Sequence, residues 1–232
     1  MDHDCIPRFA DGSVKRGCEV NTPCFDFPVR LSERYRPRRI SEFVGLDRPK
    51  RIASKFVARP YDCSFIFHGP PGVGKTSLAQ AMAEEMNAEF HHIGSQKCTL
   101  EELERVCRIC AYVPMEGKRF HFVLIDEVDS ASRAAQLALL SKLDSTEAPK
   151  QTVWVFTCNT VENLEPRFIS RSIQVEFSSY GMSSETATHL EKIWQAETGS
   201  IENAPDFLRI CKNVRNNVRD ALQSLESELL AA

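Results

Sequence analysis

Apolar residues along the first three quarters of this chain fall in short unbroken runs, each followed by a stretch in which they recur every three or four positions. "CSFIFH", "EFHHI", "FHFVLID", "TVWVFTCN" and "SIQVEF" read as strands. Helices are expected between them at 75–87, 100–112 and 132–144, with a short helical stretch before the last strand; in the first of these Leu78, Met82 and Met86 mark one face. Such alternation predicts an α/β fold, a five-stranded parallel sheet with helices on both faces and ligands at the C-terminal ends of the strands. Beyond "SSYGMSS" only helical patterns remain: "SSETATHLEKIWQAE", "NAPDFLRICKN" and "NNVRDALQSLESELL", each opening on Ser or Asn at a cap position. The expected organisation is an N-terminal extension over 1–30, an αβ domain over 31–178 and a small all-α domain over 179–232.

The break between the first strand and its helix carries the chemistry. In "HGPPGVGKTSLA" the spacing Gly69-x-x-x-x-Gly74-Lys75-Thr76 is that of a phosphate-binding loop, whose backbone N–H groups and helix N-terminus surround a polyphosphate. Gly72 and Gly74 supply backbone freedom, Pro70, Pro71 and Val73 complete the loop, Lys75 brings a cation to the outer phosphates and the Thr76 hydroxyl a ligand for Mg²⁺; Ser77 begins the helix. "FVLIDEVD" carries Asp126 to the end of a strand, where it can hold Mg²⁺ beside Thr76, with Glu127 as the base or water-orienting group. Asn159 ends another strand; it either caps a following helix or hydrogen-bonds the attacking water or γ-phosphate.

With 232 residues, 42% hydrophobic and 26% charged, the composition is that of a globular protein with no apolar run long enough to span a membrane. The acidic, broken N-terminus "MDHDCIPRFADG" is no signal peptide, so a cytoplasmic location is expected, or a nuclear one in a eukaryote. A net charge of −3 excludes a protein that coats nucleic acid along its whole surface. Residues 28–60 nevertheless hold ten Lys or Arg against three acids, a local +7 suited to nucleic acid, nucleotide phosphates or an acidic partner, or simply a solvated face. Nine scattered cysteines form no disulfide framework and point to a reducing compartment. Cys107-x-x-Cys110 lies in a helical pattern with no histidine at ligand spacing, so structural thiols are expected there; His3, Cys5, Cys18 and Cys24 match no metal-binding interval.

The ordered set "LSERYRPRRISEFVG", "GPPGVGKTS", "FVLIDEVD", "VFTCN", "LEPRFISRS" and "NNVRDAL" resembles an AAA+ ATPase, and most the small subunits of clamp loaders, the replication factor C group and its phage relatives, over about 31–230. The resemblance implies an AAA+ P-loop core followed by a helical lid, ATP and Mg²⁺ as cofactors, an oligomer with like or related AAA+ subunits, and a sliding clamp and primer-template DNA as partners. It implies that Tyr35, Arg36, Pro37 and the Val44–Gly45 backbone contact base and ribose, and that Lys75 with Thr76 and Asp126 with Glu127 are the Walker A and B pairs. By the same resemblance Asn159 is a sensor, Arg171 of Ser170-Arg171-Ser172 enters a neighbour's ATP site, and Arg219 reaches from the lid to the γ-phosphate. The sequence departs from that group in two respects: it ends where the lid should end, without the collar domain, and "AQLALLSKLDS" places Leu140, Ser141 and Lys142 where basic residues for DNA are usual. The functional expectation is an ATP-hydrolysing subunit of a clamp-loader-like complex in replication or repair. The alternative is a regulatory AAA+ ATPase that assembles or recruits a partner, in transposition or plasmid or phage maintenance, without loading a clamp.

Overall fold

The computed structural model describes residues 29–231 apart from 116 and 144–148. The extension up to residue 28, with His3, Cys5, Cys18 and Cys24, and the side chains of Ser141 and Lys142 lie outside the described residues.

Five strands, β1 (Cys63–His68), β2 (Glu89–Gly94), β3 (His121–Asp126), β4 (Thr152–Cys158) and β5 (Ile173–Glu176), form one sheet in the order β2-β3-β4-β1-β5. Every pairing is parallel. Side chains alternate across the sheet, and each face is filled. Phe65 and Phe67 of β1, Phe122 and Leu124 of β3 and Val153 and Val155 of β4 pack under α2 (Asp47–Ala58) and α3 (Lys75–Glu85). On the other face Ile66, Val123, Ile125, Trp154 and Phe156 meet α4 (Leu100–Cys110), α5 (Arg133–Leu143) and the short α6 (Pro166–Ile169). Phe65, Phe67, Phe122 and Phe156 are all under 2% exposed, and each such ring contributes roughly 2 kcal/mol of transfer free energy, which makes the sheet a rigid base for the loops at its edge.

The helical domain comprises α7 (Ser183–Thr198), α8 (Phe207–Asn213) and α9 (Val218–Ala231) around Leu190, Ile193, Trp194, Cys211 and Leu225. The expectation of Ser or Asn at each start holds for α9 and not for α7 or α8. Asp206 caps α8 by accepting from Arg209 N (3.0 Å), and Asn217 caps α9 by accepting from Arg219 N (3.1 Å). The residue before α7 is Met182, and no side chain caps that helix; the Ser183 hydroxyl donates to Asn216 Oδ1 instead, at 2.8 Å.

The segment before the first strand holds two helices that the apolar pattern does not announce, α2 and the one-turn α1 (Leu31–Arg34). Pro49 and four basic residues disguise α2, whose buried residues are Pro49, Ala53 and Phe56. α1 packs on the helical domain, not on the sheet: Leu31 sits in the core of α7–α9 and its N–H donates to Glu226 Oε1 at 3.2 Å. Among the described residues no helix is long and apolar enough to cross a membrane.

Candidate functional site

β1 runs buried to His68 and then turns sharply, because two glycines adopt backbone angles closed to other residues. Gly69 (φ +143) lies so close to the end of β5 that a Cβ there would stand 2.1 Å from the Phe177 carbonyl oxygen. Gly72 (φ +74) presses against the lid, where a Cβ would meet Asn217 Oδ1 at 2.0 Å. α3 then begins at Lys75, with its free N–H groups facing the loop. Lys75 is buried, and its Nζ donates to the carbonyls of Gly69 (2.6 Å) and Pro70 (2.8 Å) and to Asn159 Oδ1 (3.1 Å). Desolvation lowers its pKa, against the opposing pull of Cys158, Asp129 and Asp126.

The acidic half lies at the ends of β3 and β4. Thr76 Oγ1 donates to Asp126 Oδ1 at 2.8 Å, and Thr157 Oγ1 donates to the same oxygen. The Glu127 N–H in turn donates to Thr157 Oγ1 at 2.9 Å, which leaves the Glu127 carboxylate exposed above the loop from a left-handed backbone position (φ 54). Asn159 is fixed from two sides, by Lys75 and through its N–H to Asp129 Oδ2 at 3.0 Å. It caps no helix, since α6 begins only at Pro166, preceded by Glu165. Sequence reasoning missed Thr157 and Asp129. Asp129 stood in view as the last acid of "DEVD", whereas Thr157 has no signature beyond its place two residues before Asn159.

Two chambers meet over the loop. The smaller, of about 90 Å³, is lined by Pro71, Lys75, Thr76, Asp126, Glu127, Thr157 and Asn159. The larger, of about 370 Å³, is lined by Tyr35, Arg36, Pro37, Phe43, Val44, Val73 and, from the lid, His189, Val218 and Leu222. Gly72, Gly74, Ser77 and Arg219 border both. Arg36 Nε donates to Ser77 Oγ (3.1 Å), and Tyr35 Oη donates to Glu197 Oε1 (2.6 Å), whose carboxylate also pairs with Arg34 (2.7 Å). The Tyr35 hydrogen bond and then Arg34 hold Glu197 below its usual pKa. Part of the basic run is thereby absorbed into the walls of the site. Gly45 does not border the larger chamber; it is buried against Met182, and Phe43 and Leu46 provide the surface beside Val44.

The structure separates Arg171 from this constellation. It precedes β5, and its carbonyl accepts from Ser64 near the start of β1, so it lies at the N-terminal ends of the strands. The loop lies at the opposite end of β1, six residues or about 20 Å away. The exposed guanidinium donates through Nη1 to the Arg167 carbonyl at 3.0 Å.

A phosphate loop with a hydroxyl and a carboxylate in contact, set at the C-terminal edge of a parallel sheet under a helical lid, defines a P-loop nucleotide-binding α/β protein. Residues 65–180 match the model of the "ATPase family associated with various cellular activities (AAA)". The chain belongs to that AAA family. It is 26% identical over 202 residues to replication factor C small subunit 2 of Pyrobaculum aerophilum, covering 84% of this chain and 62% of that protein. It is 30% identical to the replication factor C large subunit of Aeropyrum pernix, over 84% of this chain and 42% of that protein. The chain thus spans between two fifths and two thirds of the length of these relatives. Among solved structures, the Thermotoga maritima RuvB Holliday junction branch migration motor superposes with a TM-score of 0.70 at 22% identity, over 83% of this chain and 64% of that one, a likeness of fold.

Lys75→Ala is expected to lower the affinity for Mg·ATP by roughly tenfold to a hundredfold, the worth of a charge-assisted hydrogen bond. Calorimetric titration checks this. An unchanged affinity would remove Lys75 from the phosphate site.

Proposed function

We propose that this chain binds and hydrolyses Mg·ATP as a subunit of a clamp-loader-like assembly acting in DNA replication or repair, in the cytoplasm or the nucleus of a eukaryotic cell. The observation that carries the reading is the chain of hydrogen bonds from Glu127 N–H to Thr157 to Asp126, met by Thr76 from the phosphate loop. It fits the cofactors: a hydroxyl and a carboxylate oxygen in contact suit a hard divalent cation, and the cavity of about 370 Å³ beside the loop suits a nucleoside. Thr76 and Asp126 would hold Mg²⁺, which supplies charge neutralisation at the phosphates when bound.

The remaining roles belong to the chain itself. Lys75 exchanges its neutral carbonyl acceptors for phosphate oxygens. Glu127 orients water and takes its proton. Asn159, braced by Asp129, donates its amide toward the same water or the γ-phosphate. Tyr35, Arg36, Pro37 and Val44 enclose base and ribose, and Arg219 ties the lid to the phosphates. Arg171 serves the site of the next subunit, a like or related AAA+ chain, so that binding closes an interface and hydrolysis releases it.

The experiment is the mass in solution with and without a non-hydrolysable ATP analogue, joined to primer-template binding across a salt series. Assembly with the analogue, and DNA affinity that falls steeply as salt rises, are the expected results. Assembly without salt-sensitive DNA binding would favour the regulatory ATPase that recruits a partner. A mass unchanged by nucleotide would overturn the subunit reading.

A further inference from the structure

At the edge of the sheet opposite the phosphate loop, three side chains that could each ligate a metal converge from elements far apart in sequence. His91 of β2, His121 at the start of β3 and Cys110 at the end of α4 bring one nitrogen, one nitrogen and one sulfur within 4.8 Å of one another. His121 and Cys110 are 1% and 2% exposed, and His91 is half-buried. Glu89 pairs in register with His121 and shares its face, with Oε2 3.5 Å from His121 Nδ1 and Oε1 3.9 Å from His91 Nε2.

The protonation pattern follows from the partners. His121 Nε2 lies 2.9 Å from the Tyr112 carbonyl oxygen, which can only accept, so Nε2 carries the proton and Nδ1 of the neutral ring offers a bare lone pair. His91 Nε2 approaches that lone pair at 3.1 Å. A backbone carbonyl fixing the far nitrogen of a histidine is the outer-shell arrangement that orients metal-ligating imidazoles. Glu89 is oriented similarly, because Met115 N–H donates to its Oε2 at 2.9 Å. A four-coordinate zinc with bonds of about 2.0–2.3 Å sets its ligand atoms roughly 3.3–3.8 Å apart, so the cluster reaches that geometry through small side-chain shifts.

We propose that His91 Nε2, Cys110 Sγ and His121 Nδ1, completed by Glu89, form a structural zinc site that pins the end of α4 to the edge strand β2. One sulfur, two imidazoles and a carboxylate are a donor set for Zn²⁺ rather than for Mg²⁺ or Ca²⁺. Binding moves the His91 proton from Nε2 to Nδ1 and releases the Cys110 proton to solvent. Burial pushes that thiol up to about 12 without a cation, and Zn²⁺ offsets this by bonding the thiolate directly. Cys107, one turn earlier on α4, packs against the core on this face and stands outside the cluster, so the C-x-x-C spacing misplaces the chemistry.

The test uses the reduced full chain with Co²⁺ as the spectroscopic probe and Zn²⁺ as competitor, in excess Mg²⁺ to occupy the nucleotide site. One equivalent of Co²⁺ should produce a thiolate-to-cobalt charge-transfer band and the intense visible bands of a four-coordinate site, both abolished by Zn²⁺. Cys110→Ser should remove the charge-transfer band. The less buried His91→Gln should weaken Co²⁺ binding at least tenfold, the scale on which even outer-shell partners matter, with circular dichroism and ATP binding of both variants unchanged. Absence of the charge-transfer band in the parent, or its persistence in Cys110→Ser, would overturn the proposal and leave the two histidines as a hydrogen-bonded anchor for the Tyr112 loop.

Discussion

Arg171→Ala lowers hydrolysis by the assembled protein by on the order of 10³ and leaves ATP binding by the isolated chain unchanged, the expected result if its guanidinium serves a neighbouring site. Its own loop stands at the other end of β1, beyond the reach of any arginine, so an effect on catalysis has to pass between molecules. The side chain is exposed and, among the described residues, is held by the Arg167 carbonyl, a contact it can exchange for a phosphate oxygen. Mixing Arg171→Ala with Glu127→Gln should recover part of the activity, since some interfaces then combine an intact carboxylate from one variant with an intact arginine from the other. Activity per molecule of the parent should rise with protein concentration. Arg167→Ala is the control, because it removes a neighbouring guanidinium yet keeps the carbonyl that orients Arg171. Hydrolysis that is independent of concentration and survives Arg171→Ala would eliminate the trans-acting arginine.

Glu127→Gln should slow single-turnover hydrolysis by roughly 10²–10⁴ while ATP affinity stays near that of the parent. The amide preserves the volume and the exposed position but accepts no proton. The backbone N–H of residue 127 still donates to Thr157, so the Asp126–Thr76 contact persists and the cation site with it. Asp126→Asn removes the charge itself and should weaken Mg·ATP binding instead. If Glu127→Gln turned over at the parent rate, the base would have to be sought at Asp129, whose Oδ1 is buried with no hydrogen-bond partner among the described residues.

What the sequence made legible follows from how each feature is encoded. The strands β1, β3 and β4 are covered on both faces, and a segment so placed must be apolar at nearly every position, which makes it visible as a run. The phosphate loop is equally visible, because its glycines and lysine are contiguous. α2 was hidden, since its buried contacts are spread among arginines and lysines, with a proline in its third position. Thr157 and Asp129 act through partners on neighbouring strands and loops, and a pairing between strands has no spacing along the chain. The same holds for Cys110: interval rules paired it with Cys107, whereas the fold brings it to His91 and His121.

The packing of α1 on the helical domain has a mechanical consequence. The polypeptide passes between the two bodies twice, once from Tyr35 to the turn at Ile40–Glu42 and again from Phe177 to α7. An object tied at two separated points keeps one easy motion, rotation about the line joining them. The first tether runs along the larger chamber, Arg36 and Pro37 being part of its wall, and Arg219 of the helical domain borders both chambers, so a rotation of that domain carries Arg219 across the phosphate loop. If a nucleoside fills that chamber as proposed, its base would sit beside the hinge line, and contact of Arg219 with the terminal phosphate would set where the lid comes to rest.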